Sequence, residues 1–302
     1  MILKKRFESD ELLILRYLNR RIKLNEKDKF RYLNLEKGFE GEIKFDQLIE
    51  NIQEERLILN DLLLEVNNSY FQIDTLIISQ GIIYLIDIKN FEGDCYMESD
   101  KIFSVKTRWE YKNPINQLKR SETLFSQLLR ILKCNYLVES TAIFINPHFT
   151  LYQASMDNSI ILPSQVNRFI SNLNNVPSKL TNSDKQLAKK LLSLHHPKTP
   201  FSLPPSYHYD QLQKGVYCNK CISYYMSIEK YNFVCGNCGE REKISKVILR
   251  HINEFKLLLP GQKITTKIIS EWCNTELNRR TICRVLKNNF EAVGKTKETY
   301  YR

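Results

Sequence analysis

The stretch FQIDTLIISQGIIYLIDIKNFEG, residues 71 to 93, decides how this chain folds. Its two β-branched, apolar runs, 70–79 and 82–89, read as strands. Between them Gln80-Gly81 fits a two-residue hairpin loop, with glycine supplying the positive φ such loops need. Pairing Ser79 with Ile82 sets a register in which residue numbers sum to 161, placing Asp74 directly across from Asp87. Period-two alternation puts Ile83, Leu85, Asp87 and Lys89 on one face of their strand. Opposed carboxylates in a sheet pair lie only about 5 Å apart at Cβ and destabilise it. Such a pair either holds a proton or binds a cation, and a hard ion with oxygen preference, Mg²⁺ (or Mn²⁺), removes the conflict. Lys89, one pleat on, is placed to orient or deprotonate a water or to neutralise a phosphate oxygen, an arrangement suited to metal-assisted phosphodiester hydrolysis.

Working outward, a strand is predicted over 57–66 and a helix over 36–56, whose stripe of Phe39, Ile43, Ile49 and Ile52 is near the 3.6 period. Downstream come a strand at 102–107, a helix at 114–133 opened by Pro114, and strands at 138–145 and 159–162. Helices at 164–173 and 183–194 follow. Strands on both sides of helices predict an α/β domain with a mixed sheet flanked by helices. Residues 1–35 read as a charged helix followed by a tether, a helical extension with no chemistry of its own. The prolines of 201–216 read as a linker.

Glu42 sits three residues after Phe39 and three before Phe45, on the edge of a stripe otherwise meant for burial, so it wants a partner in the same site. Gln117, in the helix opening Asn113-Pro114-Ile115-Asn116-Gln117, can add a neutral oxygen or amide. Taken together, Lys37-Gly-Phe-Glu-Gly-Glu42, Ile73-Asp74, Ile86-Asp-Ile-Lys-Asn-Phe-Glu-Gly93 and Pro114-Ile-Asn-Gln-Leu118 resemble the nuclease-related domain, NERD. That family is similar to the PD-(D/E)xK restriction-endonuclease-like superfamily and its Mrr-type branch. The resemblance covers about residues 36 to 150, with 151–200 as a helical extension. It implies that Asp74 and Asp87 hold Mg²⁺, that Lys89 assists the attacking water, and that Glu42 and Gln117 complete a catalytic set. Ile73 stands where the superfamily name has proline, and Asp87 where glutamate is frequent, one methylene shorter.

Cys218-Asn-Lys-Cys221 and Cys235-Gly-Asn-Cys238 are separated by thirteen residues, a C-x₂-C-x₁₃-C-x₂-C arrangement. Four thiolates from two such knuckles meet the tetrahedral geometry of a closed structural Zn²⁺ site. The segment 217–240 resembles a zinc ribbon, and a redox role for the Cys-x-x-Cys pairs is the rival reading. Cys95, Cys134, Cys273 and Cys283 lack paired spacing and read as ordinary small apolar residues.

The chain carries 45 Lys and Arg against 34 Asp and Glu, a net charge of +11. Residues 241–302 hold 14 basic and 6 acidic side chains, so most of the excess lies in this C-terminal segment. That favours a polyanion partner, nucleic acid first. Helices are predicted at 244–259, from Thr265 or Thr266 to about Trp272, and from an Asn278 cap to Asn289. In the last, Ile282, Val285 and Leu286 face inward while Arg280, Arg284 and Lys287 recur on the other side, beside Arg279. Phe290 to Arg302 reads as strand, turn and strand, with Lys295 and Lys297 in the turn. This resembles a winged helix whose third helix enters the major groove and whose turn contacts the backbone. A solvated helical cap is the bland alternative.

The longest apolar run, Ile82 to Ile86, is five residues, far below the roughly 20 that cross a bilayer. With no secretory h-region, a cytoplasmic protein without membrane contact is expected. The reading is a Mg²⁺-dependent DNA nuclease targeted by a zinc ribbon and winged helix. Its rivals are a non-catalytic DNA-binding or regulatory protein and an RNA-directed enzyme.

Overall fold

The computed structural model describes residues 1–50, 52–99, 101–154, 156, 159–197, 205–294 and 299–302. In chain order the first elements are β1 (Ile2–Lys4), α1 (Asp10–Arg21), α2 (Glu26–Ile49), β2 (Leu57–Val66), β3 (Ser69–Ile78), β4 (Ile82–Lys89), β5 (Gly93–Glu98), β6 (Lys101–Ser104) and β7 (Glu110–Tyr111). Next come α3 (Pro114–Ile131), β8 (Leu137–Phe144), β9 (Phe149–Tyr152), β10 (Ile160–Ile161), α4 (Val166–Asn175) and α5 (Asn182–Ser193). The chain ends with β11 (Met226–Glu229), β12 (Asn232–Cys235), β13 (Arg241–Lys243), α6 (Ile244–Leu258), α7 (Thr266–Cys273), α8 (Arg279–Asn289), β14 (Ala292–Val293) and β15 (Tyr300–Tyr301). They form two compact units, Met1–Glu8 with Leu33–Ser202, and Ser9–Tyr32 with Leu203–Arg302. Among the described residues no helix is long and apolar enough to cross a membrane.

The first unit is built on a six-stranded mixed sheet in the order β1-β2-β3-β4-β8-β10. Strands β2, β3 and β4 form an antiparallel meander, whereas β8 runs parallel to β4 and to β10, and β1 parallel to β2. One face packs on Phe125, Leu128 and Leu129 of α3 and Leu187, Ala188 and Leu191 of α5. The other packs on Phe45 and Ile49 of α2 and Val166 and Leu173 of α4. Gly41 lets α2 settle against the end of β4, since a Cβ there would lie 2.6 Å from the Asn90 Cβ. Of a second sheet, β7-β6-β5-β9, only β6 falls in the expected strand at 102–107; β5, β7 and β9 lie outside the sequence expectations, because they are two to six residues long and carry little periodicity.

The β3–β4 register is the expected one from Ile78↔Ile83 through Thr75↔Ile86, and Gly81 closes the loop at φ +75. It ends there, short of an Asp74–Asp87 pair. The β2–β3 ladder likewise steps from Asn60↔Thr75 to Leu62↔Ile73, skipping Asp61 and Asp74, and Asp61 adopts the left-handed φ of 55. Alternation flips at this break. On the α3/α5 side β2 presents Leu57 and Leu59 but then Leu62 and Leu64, and β3 presents Phe71 and Ile73 but then Leu76 and Ile78. Strict period two therefore misplaces the residues on one side of Asp74.

The N-terminal segment corrects the expected tether. Residues 26–35 are helical, continuous with the rest of α2, and Ile2–Lys4 is an edge strand. In the second unit α1 is capped by Ser9 and packs with α6, α7 and α8 around Leu18, Ile248, Phe255, Trp272 and Leu286. Residues 209–216, read from the nearby prolines as linker, contribute buried Leu212 and Val216 to that core.

Candidate functional sites

Asp87 and Lys89 lie at the end of β4, where the chain leaves the meander. Lys89 Nζ stands 2.8 Å from Asp87 Oδ1 and 2.7 Å from Oδ2. Only the contact to Oδ1 has hydrogen-bond geometry. Oδ2 is a buried oxygen with no hydrogen-bond partner, in a residue 7% exposed. Burial, then the Asp74 charge, pushes Asp87 up to about 7 against the pull of Lys89. Burial acts on Lys89 in the opposite sense, but Asp87, Asp74 and Glu42 outweigh it and raise its pKa, so it is an ammonium at neutral pH.

Asp74 sits at the break in the sheet. Its Oδ2 accepts the Ile88 amide at 2.8 Å, so a side chain takes the place of the missing rung and draws the acid against β4. Glu42, on α2, is pushed up to about 8 by burial and by Asp74, only partly relieved by Arg6. The Arg6 guanidinium donates to Glu42 Oε2 at 2.9 Å, to Asp46 Oδ2 at 3.0 Å, and to the Asp74 carbonyl and Thr75 Oγ1, both at 2.9 Å. Asp87, Asp74, Lys89 and Glu42 thus share one electrostatic neighbourhood. Gln117 is half-buried in the first turn of α3, and its side chain has no hydrogen-bond partner among the described residues.

Arg6 and Asp46 are the residues that sequence reasoning missed. Arg6 meets Glu42 and Asp74 across 36 and 68 positions, with no spacing signal; the charged run Lys4-Lys5-Arg6 looks solvent-facing until β1 is placed. Asp46 was within reach, lying four residues after Glu42 on the same helical face.

The four cysteines form the other site. All four sulfurs lie within 4.8 Å of one another, with Cys218–Cys238 at 3.6 Å and Cys221–Cys235 at 3.5 Å. Zn–S bonds of about 2.3 Å place tetrahedral sulfurs about 3.8 Å apart, so this donor set fits a structural Zn²⁺. The two knuckles repeat one turn. Ile222 N bonds to Cys218 O and Gly239 N to Cys235 O, and both donors have positive φ, 61 and 73. Gly236 matters for space instead, because a Cβ there would lie 2.1 Å from the Tyr225 ring. Strands β11, β12 and β13 complete a three-stranded ribbon. Among the described residues no carboxylate set joins the cysteines as a cluster of three or more ligands, so Asp74 and Asp87 offer at most a two-acid seat.

On α8, Ile282, Val285 and Leu286 are buried, and Arg279, Arg280, Arg284 and Lys287 are exposed. Asn278 caps this helix and Thr265 caps α7. Lys295 and Lys297 lie outside the described residues.

The mixed sheet of this α/β unit thus gathers two acids and a lysine at the end of its meander, with a helix carboxylate in the same electrostatic neighbourhood. Residues 37–145 match the family described as nuclease-related domain, NERD, and Glu42, Asp74, Asp87, Lys89 and Gln117 all fall within the matched segment. No curated protein and no solved structure matches the chain.

Proposed function

We propose that the protein is a Mg²⁺- or Mn²⁺-dependent nuclease that hydrolyses DNA phosphodiester bonds, with Asp74 and Asp87 as the metal seat. The observation that carries this reading is the Asp87 carboxylate. It is buried, pushed up to about 7, beside a second acid, and keeps one oxygen without a hydrogen bond. Oxygen donors in that state suit a hard divalent cation. When bound, such an ion supplies Lewis-acid stabilisation of charge developing on phosphate oxygens. Lys89, an ammonium at neutral pH, orients the attacking water or a phosphate oxygen by donating hydrogen bonds, and does not act as a base in that state. Glu42, near 8, exchanges a proton in the range where general acid–base groups are effective. Gln117 offers an uncommitted amide to the substrate.

Targeting is assigned to the second unit. Its Cys₄ ribbon, three helices and β14–β15 pair support a zinc ribbon and a winged helix, with Arg279, Arg280, Arg284 and Lys287 presented to a phosphate backbone. A second reading, a non-catalytic nucleic-acid-binding or regulatory protein, is favoured by one fact: Lys89 and Arg6 already form ion pairs with Asp87 and Glu42.

A cleavage assay on single-stranded, duplex and branched DNA and on RNA, with and without Mg²⁺ or Mn²⁺, decides between them. Metal-dependent cleavage that Asp87→Ala abolishes while binding persists supports the enzyme. Equal cleavage by that variant overturns the assigned role, and binding without cleavage by the wild type selects the second reading. Arg280→Ala with Arg284→Ala lowers affinity and flattens its dependence on salt; an unchanged salt slope refutes the assignment to α8.

A further inference from the structure

Asp74 belongs to neither ladder that flanks it. The β2–β3 pairing skips Asp61 and Asp74, the β3–β4 pairing stops at Thr75, and Asp61 is held at φ 55. Backbone groups at such a break need other partners, and residues 1–8 supply them. Lys4 Nζ donates to the carbonyls of Asn60 at 2.9 Å and Asp61 at 2.8 Å. Arg6 Nη2 donates to the Asp74 carbonyl, while its Nη1 holds Glu42 and its Nε and Nη2 hold Asp46 in a two-pronged contact. Thr75 Oγ1 accepts from the same Nη2 and donates to Asn60 Oδ1 at 3.1 Å, tying the guanidinium to β2. The Arg6 side chain is 2% exposed. The donors of these contacts, Lys4 and Arg6, precede the family match, which begins at residue 37.

We propose that Arg6 is a positioning residue of the acid site: its guanidinium replaces the missing ladder partner of Asp74 and fixes the Glu42 helix to the broken strand. The carboxylates then reach the arrangement that accepts a divalent cation only with the N-terminal strand in place. This rests on the metal-dependent reading above. A planar fork with five donors in fixed directions is suited to bridging two carboxylates and a carbonyl, and an ammonium is not.

The test is Mn²⁺ binding to the full-length protein by calorimetry, without nucleic acid and well below each variant's melting temperature. A merely structural arginine changes the folded fraction but leaves the Kd of the folded protein unmoved. Arg6→Met is expected to weaken Mn²⁺ at least tenfold, with Arg6→Lys recovering part of the loss. The control is Arg56→Met, another buried arginine, bonded to the Leu173 and Val176 carbonyls, which is expected to lower the melting temperature without changing the Kd. Wild-type Kd in Arg6→Met, with binding lost in Asp87→Ala, overturns the role of Arg6 and leaves the metal reading intact. Absence of Mn²⁺ binding in the wild type overturns both. An equal loss in Arg56→Met assigns the effect to general destabilisation and also overturns the role.

Discussion

Each unit buries an arginine from the N-terminal segment against acids, and the two clusters have opposite characters. In the second unit Arg21 forms a bidentate pair with Glu254 at 2.7 Å to each oxygen, both side chains fully buried. His251 Nδ1 lies 2.7 Å from Glu254 Oε2, its Nε2 faces the Tyr217 amide, and the Arg21 guanidinium lies 3.8 Å from the centre of the Trp272 ring. A neutral His251 with its proton on Nδ1 donates to Glu254 and accepts from Tyr217 at Nε2, and Arg21 Nη2, 3.0 Å from Nδ1, then donates to Glu254 Oε2 rather than to the ring. Burial works against the Glu254 charge, but hydrogen bonds from Arg21 and His251 outweigh it and hold the acid down at about 2, while burial holds His251 at about 4. In the first unit burial wins, leaving Asp87 near 7, Glu42 near 8 and Asp87 Oδ2 in ion-pair contact with Lys89 but without a hydrogen bond. A closed set of donors and acceptors locks α1 to α6, whereas an unfinished one is where a ligand or proton can still be accepted.

The largest effect is expected from the metal. If the four thiolates hold Zn²⁺, Cys235→Ala should abolish zinc stoichiometry and hydrogen-exchange protection across 217–243, because a structural zinc would supply the ribbon's folding free energy, about 10 kcal/mol or more in zinc-finger peptides. Undiminished protection would assign that stability to the core around Trp272 instead. Arg21→Met should come next, costing about 3–5 kcal/mol by stranding Glu254 in the interior. Read by chemical denaturation with Trp272 fluorescence, a loss below 1 kcal/mol would deny the closed cluster its structural role.

Acidification separates the two units. His251 has a folded pKa below its unfolded one, so its contribution is complete above about 6.5 and is lost as pH falls through about 4. Asp87 and Glu42 are raised, so their contribution is complete below about 4 and is lost as pH rises through about 7 and 8. Moving from pH 7.5 to 5 should therefore weaken the second unit by about 2 kcal/mol and firm the first. Hydrogen exchange resolved by peptide measures each unit, and parallel changes would break the contrast. The smallest effect is the most diagnostic: Asp87→Asn should stabilise the first unit by about 1–3 kcal/mol at pH 8 and leave it unchanged at pH 4, since the amide imitates the protonated acid. Destabilisation at pH 8 would mean that the Lys89 pair outweighs the repulsion.

The meander was legible in residues 57–89 because apolar runs and a Gly81 loop are local signals, and α8 because its cap and stripe are local too. The acid neighbourhood was legible in outline. Its central assumption, Asp74 facing Asp87 in an unbroken ladder, gave way to the skipped pair at Asp61 and Asp74, where alternation flips in both strands at once. No local pattern announces that flip, because each strand still reads as apolar at roughly every second position.

The amino-acid order alone determined the strands of the meander, the four-cysteine spacing and the cationic side of α8, all set by neighbours within a turn or a hairpin. Tertiary structure decided the partners of the buried charges: Arg6 with Glu42 and Asp74, Arg21 with Glu254 and His251. The physical reason is that a charge is indifferent to its position in the chain until desolvation makes an unpaired one costly, and only packing determines which charges are desolvated together.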